Sequence, residues 1–349
     1  MAKYIQAAGL GPSGYREDYL FSVEAHQLEG LPEFVSIAPA LVDPHIHGAF
    51  GVDFVAEPAE QISAALDLLA ESGVEWVLPT SVSMPAEACL EFLERIPDHP
   101  IVAGIHLEGP FLSPEFPGAQ PVEALERPNL SDDDWRKVFD HPRLRAMTLA
   151  PELEGAVELT RYLSQREVVV GLGHTGASAD QMGAAFAAGA KFATHLFNAM
   201  KPFHHRQSGP VGFSLLRDGF CVEVIHDYQH VSEDAIELML AMKGWDEVIA
   251  VSDGTFASGL EEGSVDRREM WGHEVTLQNG QLRLASNGAL AGSCALIGEV
   301  FRSFAMGKGL SAASWFCSHN ARRLYRLPQP ERFLLLDPES QELLAQIDF

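Results

Sequence analysis

Histidines and carboxylates at the ends of apolar runs give this chain its clearest chemical signal. Six residues make up the set: His45, His47, Glu108, His174, His195 and Asp253. They close the runs ALVDPHIH, VAGIHLE, VVVGLGH, KFATHL and VIAVSD, which read as short buried β-strands. In a parallel barrel the carboxyl ends of the strands converge on one face. Imidazoles and carboxylates gathered there are the ligands of a hydrolytic metal site.

Each residue also has a plainer explanation, and the weight comes from the set. His45 and His47 stand two apart, so on a strand both point to one side. Gly48 follows and lets the chain turn closely over a site. Glu108 lies in HLEGP, where a carboxylate is costly to bury unless paired or metal-bound; a helix cap or salt bridge is the alternative. His174 in GLGHTGAS and His195 in THLFNAM fall one βα repeat apart. Either alone is equally a hydrogen-bonded core histidine. Asp253 in VSDGT can be a metal ligand, a general base or both, or the start of an Asx turn. Around them stand possible donors: Asn198 and Ala199 after His195, His204, His205 and Arg206 in the next loop, and His230 after the seventh run. Arg, His and exposed backbone N–H groups can bind phosphate, although His204-His205-Arg206 also reads as a solvated loop. Neither GxGxxG nor a P-loop is present.

These residues need a scaffold of eight strands, expected near Ala40–His45, Glu75–Pro79, Ile101–Leu107, Ala146–Ala150, Val168–Leu172, Lys191–His195, Cys221–Ile225 and Glu247–Ser252. Between them lie stretches such as QISAALDLLAES and SEDAIELMLAMKG, apolar at helical spacing. Ser178 with Gln181 reads as a capping box. The expected fold is α/β, a TIM-type (β/α)8 barrel over residues 40–324; a doubly wound sheet is the alternative. Residues 1–39, with strand-like YLFSVEA, and 325–349 are expected to form a small β-domain from the two termini. HEVTLQNGQLRL, residues 273–284, reads as a hairpin excursion turning at Asn279-Gly280.

Composition narrows the function classes. The 349 residues are 46% hydrophobic and carry a formal net charge of −25. Such acidity argues against a phosphate backbone as partner, since nucleic acid needs a basic face. The four cysteines, Cys89, Cys221, Cys294 and Cys317, form no CxxC pair and are expected as free thiols. No run of 18 apolar residues suggests a membrane span. The N-terminal MAKYIQAAGLGPSG lacks signal-peptide character, so a cytoplasmic enzyme is expected.

At these residues the chain resembles the N-acetylglucosamine-6-phosphate deacetylases of the amidohydrolase superfamily. The resemblance is carried by LVDPHIHG, HLEGPF, LAPE, GLGHTGAS, THLFNAM, HHRQSGPVG, VSDGT and LAGS, from about Leu41 to Ala321. It implies a TIM barrel with a small β-domain and hydrolysis of the acetamide of an amino-sugar phosphate. It also implies one or two divalent ions per chain, with Zn2+ expected and Fe2+ or another ion as the alternative. By the same resemblance Glu108, His174 and His195 match the principal metal ligands, His45 and His47 a second-metal pair, and Asp253 the catalytic acid/base; Asp253 is also counted with the metal ligands on its own place at a strand end. Asn198, Ala199, Arg206 and His230 match groups contacting the sugar phosphate. The Arg206 equivalent comes from a neighbouring subunit, which implies a homodimer. Gln120 stands where many members carry a histidine that helps polarise the acetamide carbonyl. A cyclic amide, an N-acyl amino acid or N-acetylgalactosamine 6-phosphate are alternative substrates, and a non-catalytic binding member is the alternative outside enzymes.

Overall fold

The computed structural model describes residues 3–11, 14–23, 31–32, 34–261, 263–264 and 268–348. Its body alternates strand and helix, as the spacing of apolar runs requires. The strands are β1 (Leu41–Ile46), β2 (Val74–Pro79), β3 (Ile105–Glu108), β4 (Leu144–Leu149), β5 (Val169–Leu172), β6 (Phe192–Ala193), β7 (Cys221–Ile225) and β8 (Val248–Val251). The helix following each in turn is α1 (Ala59–Glu71), α2 (Ala86–Arg95), α3 (Asp133–Phe139), α4 (Ala156–Ser164), α5 (Ala179–Ala188), α6 (Gly209–Leu216), α7 (Glu233–Lys243) and α8 (Ile297–Lys308).

Strands β3 to β8 form a six-stranded parallel sheet in sequence order, and β1 pairs with β2. The sheet curls. At one edge Ala103 N–H donates to Val77 O at 3.0 Å, and Thr80 pairs with His106. At the other, Asp253 N–H donates to His45 O at 3.0 Å and His47 N–H to Gly254 O at 2.7 Å.

Both faces of the sheet are apolar, as expected of parallel strands covered by helices. Val222, Val224, Val248 and Ala250 pack in the helix-facing core. Their alternates Ile225, Ile249 and Val251 pack with Val42, Leu78, Ala146, Val169, Phe192 and Tyr325 on the inner face. Gly171 permits this inner packing, since a β-carbon there would lie 2.6 Å from Phe192 Cε2.

Local signals fix the helix starts. Ser178 and Gln181 form the expected capping box on α5, and Ser232 and Asp132 cap α7 and α3. Each satisfies amide groups that a helix leaves unpaired at its first turn.

Strands from both termini share one five-stranded sheet, in the order Leu343–Asp348, Arg332–Leu336, Phe34–Pro39, Lys3–Gly11, Gly14–Val23. Val35, Ile37, Phe333, Leu335 and Ile347 form its own cluster, while Leu334 and Leu336 join the main core. Of the strand-like YLFSVEA, Glu24 and Ala25 lie outside the described residues. The expected hairpin is present, with Gln278 opposite Gln281 and positive φ at Asn279 and Gly280, as a type I′ turn requires. It belongs to a three-stranded sheet with Arg268–Met270. Among the described residues no helix is long and apolar enough to cross a membrane.

Candidate active site

All six residues singled out in the sequence meet at the carboxyl ends of the parallel strands, in two buried groups that could each hold a metal ion: His45, His47 and Asp253, and Glu108, His174 and His195. β5 ends at the expected residue, whereas β6 ends two residues before the expected His195. β5 stops at Leu172 and β6 at Ala193, so His174 and His195 sit just beyond, in the turns. His174, His195 and Asp253 there have φ of 47°, 29° and 49°, and Ala199 has 47°. Such left-handed conformations are unfavourable for residues with a β-carbon, and cluster where a site needs them.

In the second group Glu108 Oε1 lies 3.1 Å from His174 Nε2 and 3.0 Å from His195 Nε2. The two imidazole nitrogens are 3.1 Å apart. In the first, Asp253 Oδ1 is 3.3 Å from His45 Nε2 and 3.2 Å from His47 Nε2, with 3.3 Å between the nitrogens. Glu108 joins the groups, with Oε2 3.5 Å from His47 Nε2 and Oε1 3.6 Å from His45 Nε2.

These donor sets fit a divalent cation. His174 Nδ1 lies 3.1 Å from Phe116 O and His47 Nδ1 3.2 Å from Thr80 O. A carbonyl only accepts, so each Nδ1 carries the hydrogen and each Nε2 presents a lone pair in the neutral imidazole. Lone pairs and a carboxylate then face one another at hydrogen-bond distance and need a positive charge among them. Ligands tetrahedral about Zn2+ stand about 3.3–3.6 Å apart, given bonds of 2.0–2.2 Å.

The electrostatics agree. Burial raises the Glu108 carboxyl, but the charges of His174 and His45 and the imidazole hydrogen bonds win and hold it well below its usual range. Burial also raises Asp253, but hydrogen bonding to His47 and the charge of His45 lower it to about 2. Burial lowers His45, and the Glu108 carboxylate overcomes this and raises it well above the ordinary value. Both carboxylates are therefore ionised and draw positive charge.

A cavity of about 270 Å³ opens over both groups. Its lining includes Gln120, Asn198, Ala199 and His230, the expected substrate contacts apart from Arg206. Gln120 is held at both ends of its amide: Oε1 accepts from Ser83 N–H at 2.7 Å, and Nε2 donates to Glu108 Oε2 at 2.6 Å. His230 Nδ1 donates to Asp227 Oδ2 at 2.7 Å. Arg206 is exposed in its loop and contacts His205 Nε2 at 3.0 Å; it does not line this chain's cavity. A larger cavity, about 640 Å³, lies between the hairpin and α8 and contains no member of either group.

Three neighbours escaped sequence reasoning. Thr80 orients His47 through its carbonyl, and Trp271 packs edge-on at 5.0 Å from the His47 ring. Glu223 is fully buried against His45. Only Glu223 left a signal, as a charged residue inside the apolar CVEVI run.

A curled parallel sheet with histidines and carboxylates joined at its carboxyl ends defines a hydrolase of the amidohydrolase class. No protein-family model matches the chain. It is 32% identical to the N-acetylglucosamine-6-phosphate deacetylase of Lysinibacillus sphaericus over 79% of its own length and 72% of the relative's. It is 33% identical to the N-acetylgalactosamine-6-phosphate deacetylase of Escherichia coli O157:H7 over 79% and 74%. A variant of the Mycobacterium smegmatis N-acetyl-D-glucosamine-6-phosphate deacetylase, solved in complex with N-acetyl-D-glucosamine-6-phosphate, superposes with a TM-score of 0.87 at 25% identity, covering 99% of this chain and 98% of that one. The chain belongs to the N-acetylglucosamine-6-phosphate deacetylase family. It is a deacetylase, a hydrolase acting on a linear amide.

Proposed function

We propose that the chain hydrolyses the acetamide of N-acetylglucosamine 6-phosphate to glucosamine 6-phosphate and acetate. The observation that carries this is the convergence of Glu108, His174, His195 and Asp253 on one cavity, in a chain of this family. Glu108, His174 and His195 would hold one divalent ion, with Zn2+ the expected species, and His45, His47 and Asp253 would hold a second. A divalent ion there supplies Lewis acidity toward the acetyl carbonyl and acidifies water at neutral pH.

The chain's own groups do the rest. Asp253 takes a proton from the attacking water and returns it to the amine as the C–N bond breaks, so acetate and the free amine leave. Gln120, with one amide N–H on Glu108, turns its other N–H to the acetyl oxygen. Asn198, Ala199 and His230 orient the sugar.

The cavity lining includes no Lys or Arg among the described residues, while Glu108 and Asp253 are anionic. A phosphate dianion therefore needs a guanidinium from outside this lining. Arg206 from the other subunit of a homodimer meets that need, and its exposure suits the role. A cytoplasmic location is part of the same reading.

We also read the curled sheet as a closed (β/α)8 barrel over 40–324, supported by the hydrogen bonds at both edges of the sheet. The sheet from 1–39 and 325–349 is read as a small domain, supported by its separate apolar cluster. N-acetylgalactosamine 6-phosphate is a second substrate reading, favoured by the similarity to the Escherichia coli enzyme.

The test is acetate release across N-acetylated amino sugars with and without 6-phosphate, before and after chelation. The expected result is activity on a 6-phosphate, lost on chelation and restored by a divalent ion. Full activity in metal-free protein, or a preference for unphosphorylated sugars, would overturn the reading.

A further inference from the structure

We propose that Glu223 is a positioning residue that sets His45 for the cation which His45, His47 and Asp253 would hold. This rests on the metal-dependent reading above. Glu223 lies in β7 on the same face as Ile225, which packs in the inner core, and it is 0% exposed. Its Oε2 is 3.2 Å from His45 Nδ1 and 3.4 Å from the backbone N–H of His195. Its Oε1 has no hydrogen-bond partner among the described residues.

A carboxylate can only accept, so His45 carries its hydrogen on Nδ1 and turns the Nε2 lone pair to His47 Nε2 and Asp253 Oδ1. Thr80 O does the same for His47, but a carbonyl brings no charge. Glu223 adds a full negative charge behind the imidazole, which strengthens Nε2 as a ligand. The same oxygen holds the backbone of His195, a member of the other group, so one carboxylate ties both groups together.

A hydrogen-bonded core carboxylate is the plainer account. An ionised carboxylate is costly to bury without compensating charge. Both of the groups that Glu223 holds belong to candidate cation sites, which would supply that charge.

Metal-free wild type and Glu223→Gln are titrated with Zn2+ against a chromophoric chelator, with Co2+ absorption as a second readout. His45→Ala assigns the second equivalent. Wild type is expected to take two equivalents. Glu223→Gln keeps the first and holds the second about 10–100-fold more weakly, while kcat falls and KM stays. If the Gln variant does not fold, Glu223→Asp, which withdraws the charge by one methylene, takes its place with the same expectation. Two equivalents held equally well by variant and wild type overturn the proposal. A wild type that takes one equivalent also overturns it, but leaves the metal-dependent reading standing. A wild type that takes none overturns that reading itself.

Discussion

Replacing Asp253 by Asn separates the chemistry of this residue from its structural role. The backbone at Asp253 is pinned, with its N–H donating to His45 O at 3.0 Å and its carbonyl accepting from Ser293 N–H at 2.8 Å. Its φ of 49° is a left-handed conformation that Asn tolerates as well as Asp. Asp253→Asn should therefore fold as wild type does. Asp253→Ala would add backbone strain of about 1–2 kcal/mol. The Asn oxygen can still face His45 and His47, which lie 3.3 and 3.2 Å from Asp253 Oδ1. What disappears is the charge and the ability to take a proton. General acid–base catalysis contributes about 10²–10⁴-fold, or roughly 2.7–5.4 kcal/mol in the barrier. The assay is acetate release at saturating substrate and saturating divalent ion, so that weakened metal binding does not enter. Metal content and the thermal midpoint are measured on the same samples. The expected result is kcat lowered at least about a hundredfold, with the midpoint unchanged. Turnover within tenfold of wild type by a folded, metal-loaded variant would refute the assignment and mean that another group moves the proton.

Arg206→Ala should raise KM for a 6-phosphorylated sugar about ten- to hundredfold, the equivalent of roughly 1.5–3 kcal/mol for a charge-assisted hydrogen bond. The unphosphorylated analogue should be nearly unaffected, and equal effects on both would remove Arg206 from the phosphate site. Gly171→Ala places a methyl 2.6 Å from Phe192 Cε2 in the inner core and should destabilise the fold by about 1–3 kcal/mol. An unchanged unfolding midpoint would show that the Phe192 ring yields freely.

Much of this architecture was legible because one physical rule governs it. A parallel strand buried on both faces must be an apolar run, so the eight runs mark the eight strands, and a polar residue closing a run marks a strand end. His45, His47, Glu108, His174, His195 and Asp253 were all found that way. The same rule hid Glu223: a run is read by its apolar majority, and a single carboxylate inside CVEVI looks like noise until the fold turns it against His45. Thr80 was beyond reach because it acts through its backbone carbonyl, which every residue has. Trp271 reaches the cavity only because the three-stranded excursion folds back over it, a tertiary event that no local pattern records. The exposed Arg206 could be named from the family's HHR segment, but nothing in its own environment within one chain sets its role.

Charge explains why the two groups of candidate ligands belong together. Glu108, Asp253 and Glu223 are buried beside four imidazoles, and the lining of the cavity above them includes no Lys or Arg among the described residues. Three buried carboxylates without cationic side chains would be costly in a chain that already carries −25. In the metal-free protein the Glu108 carboxylate, acting against burial, holds His45 well above its ordinary value, so a proton on His45 supplies part of the balance. A divalent cation supplies the same balance without protonating the imidazoles, and leaves their lone pairs to bind it. Metal binding should therefore release protons, and the acidity that looked hostile to an anionic substrate becomes the means by which the site gathers cations.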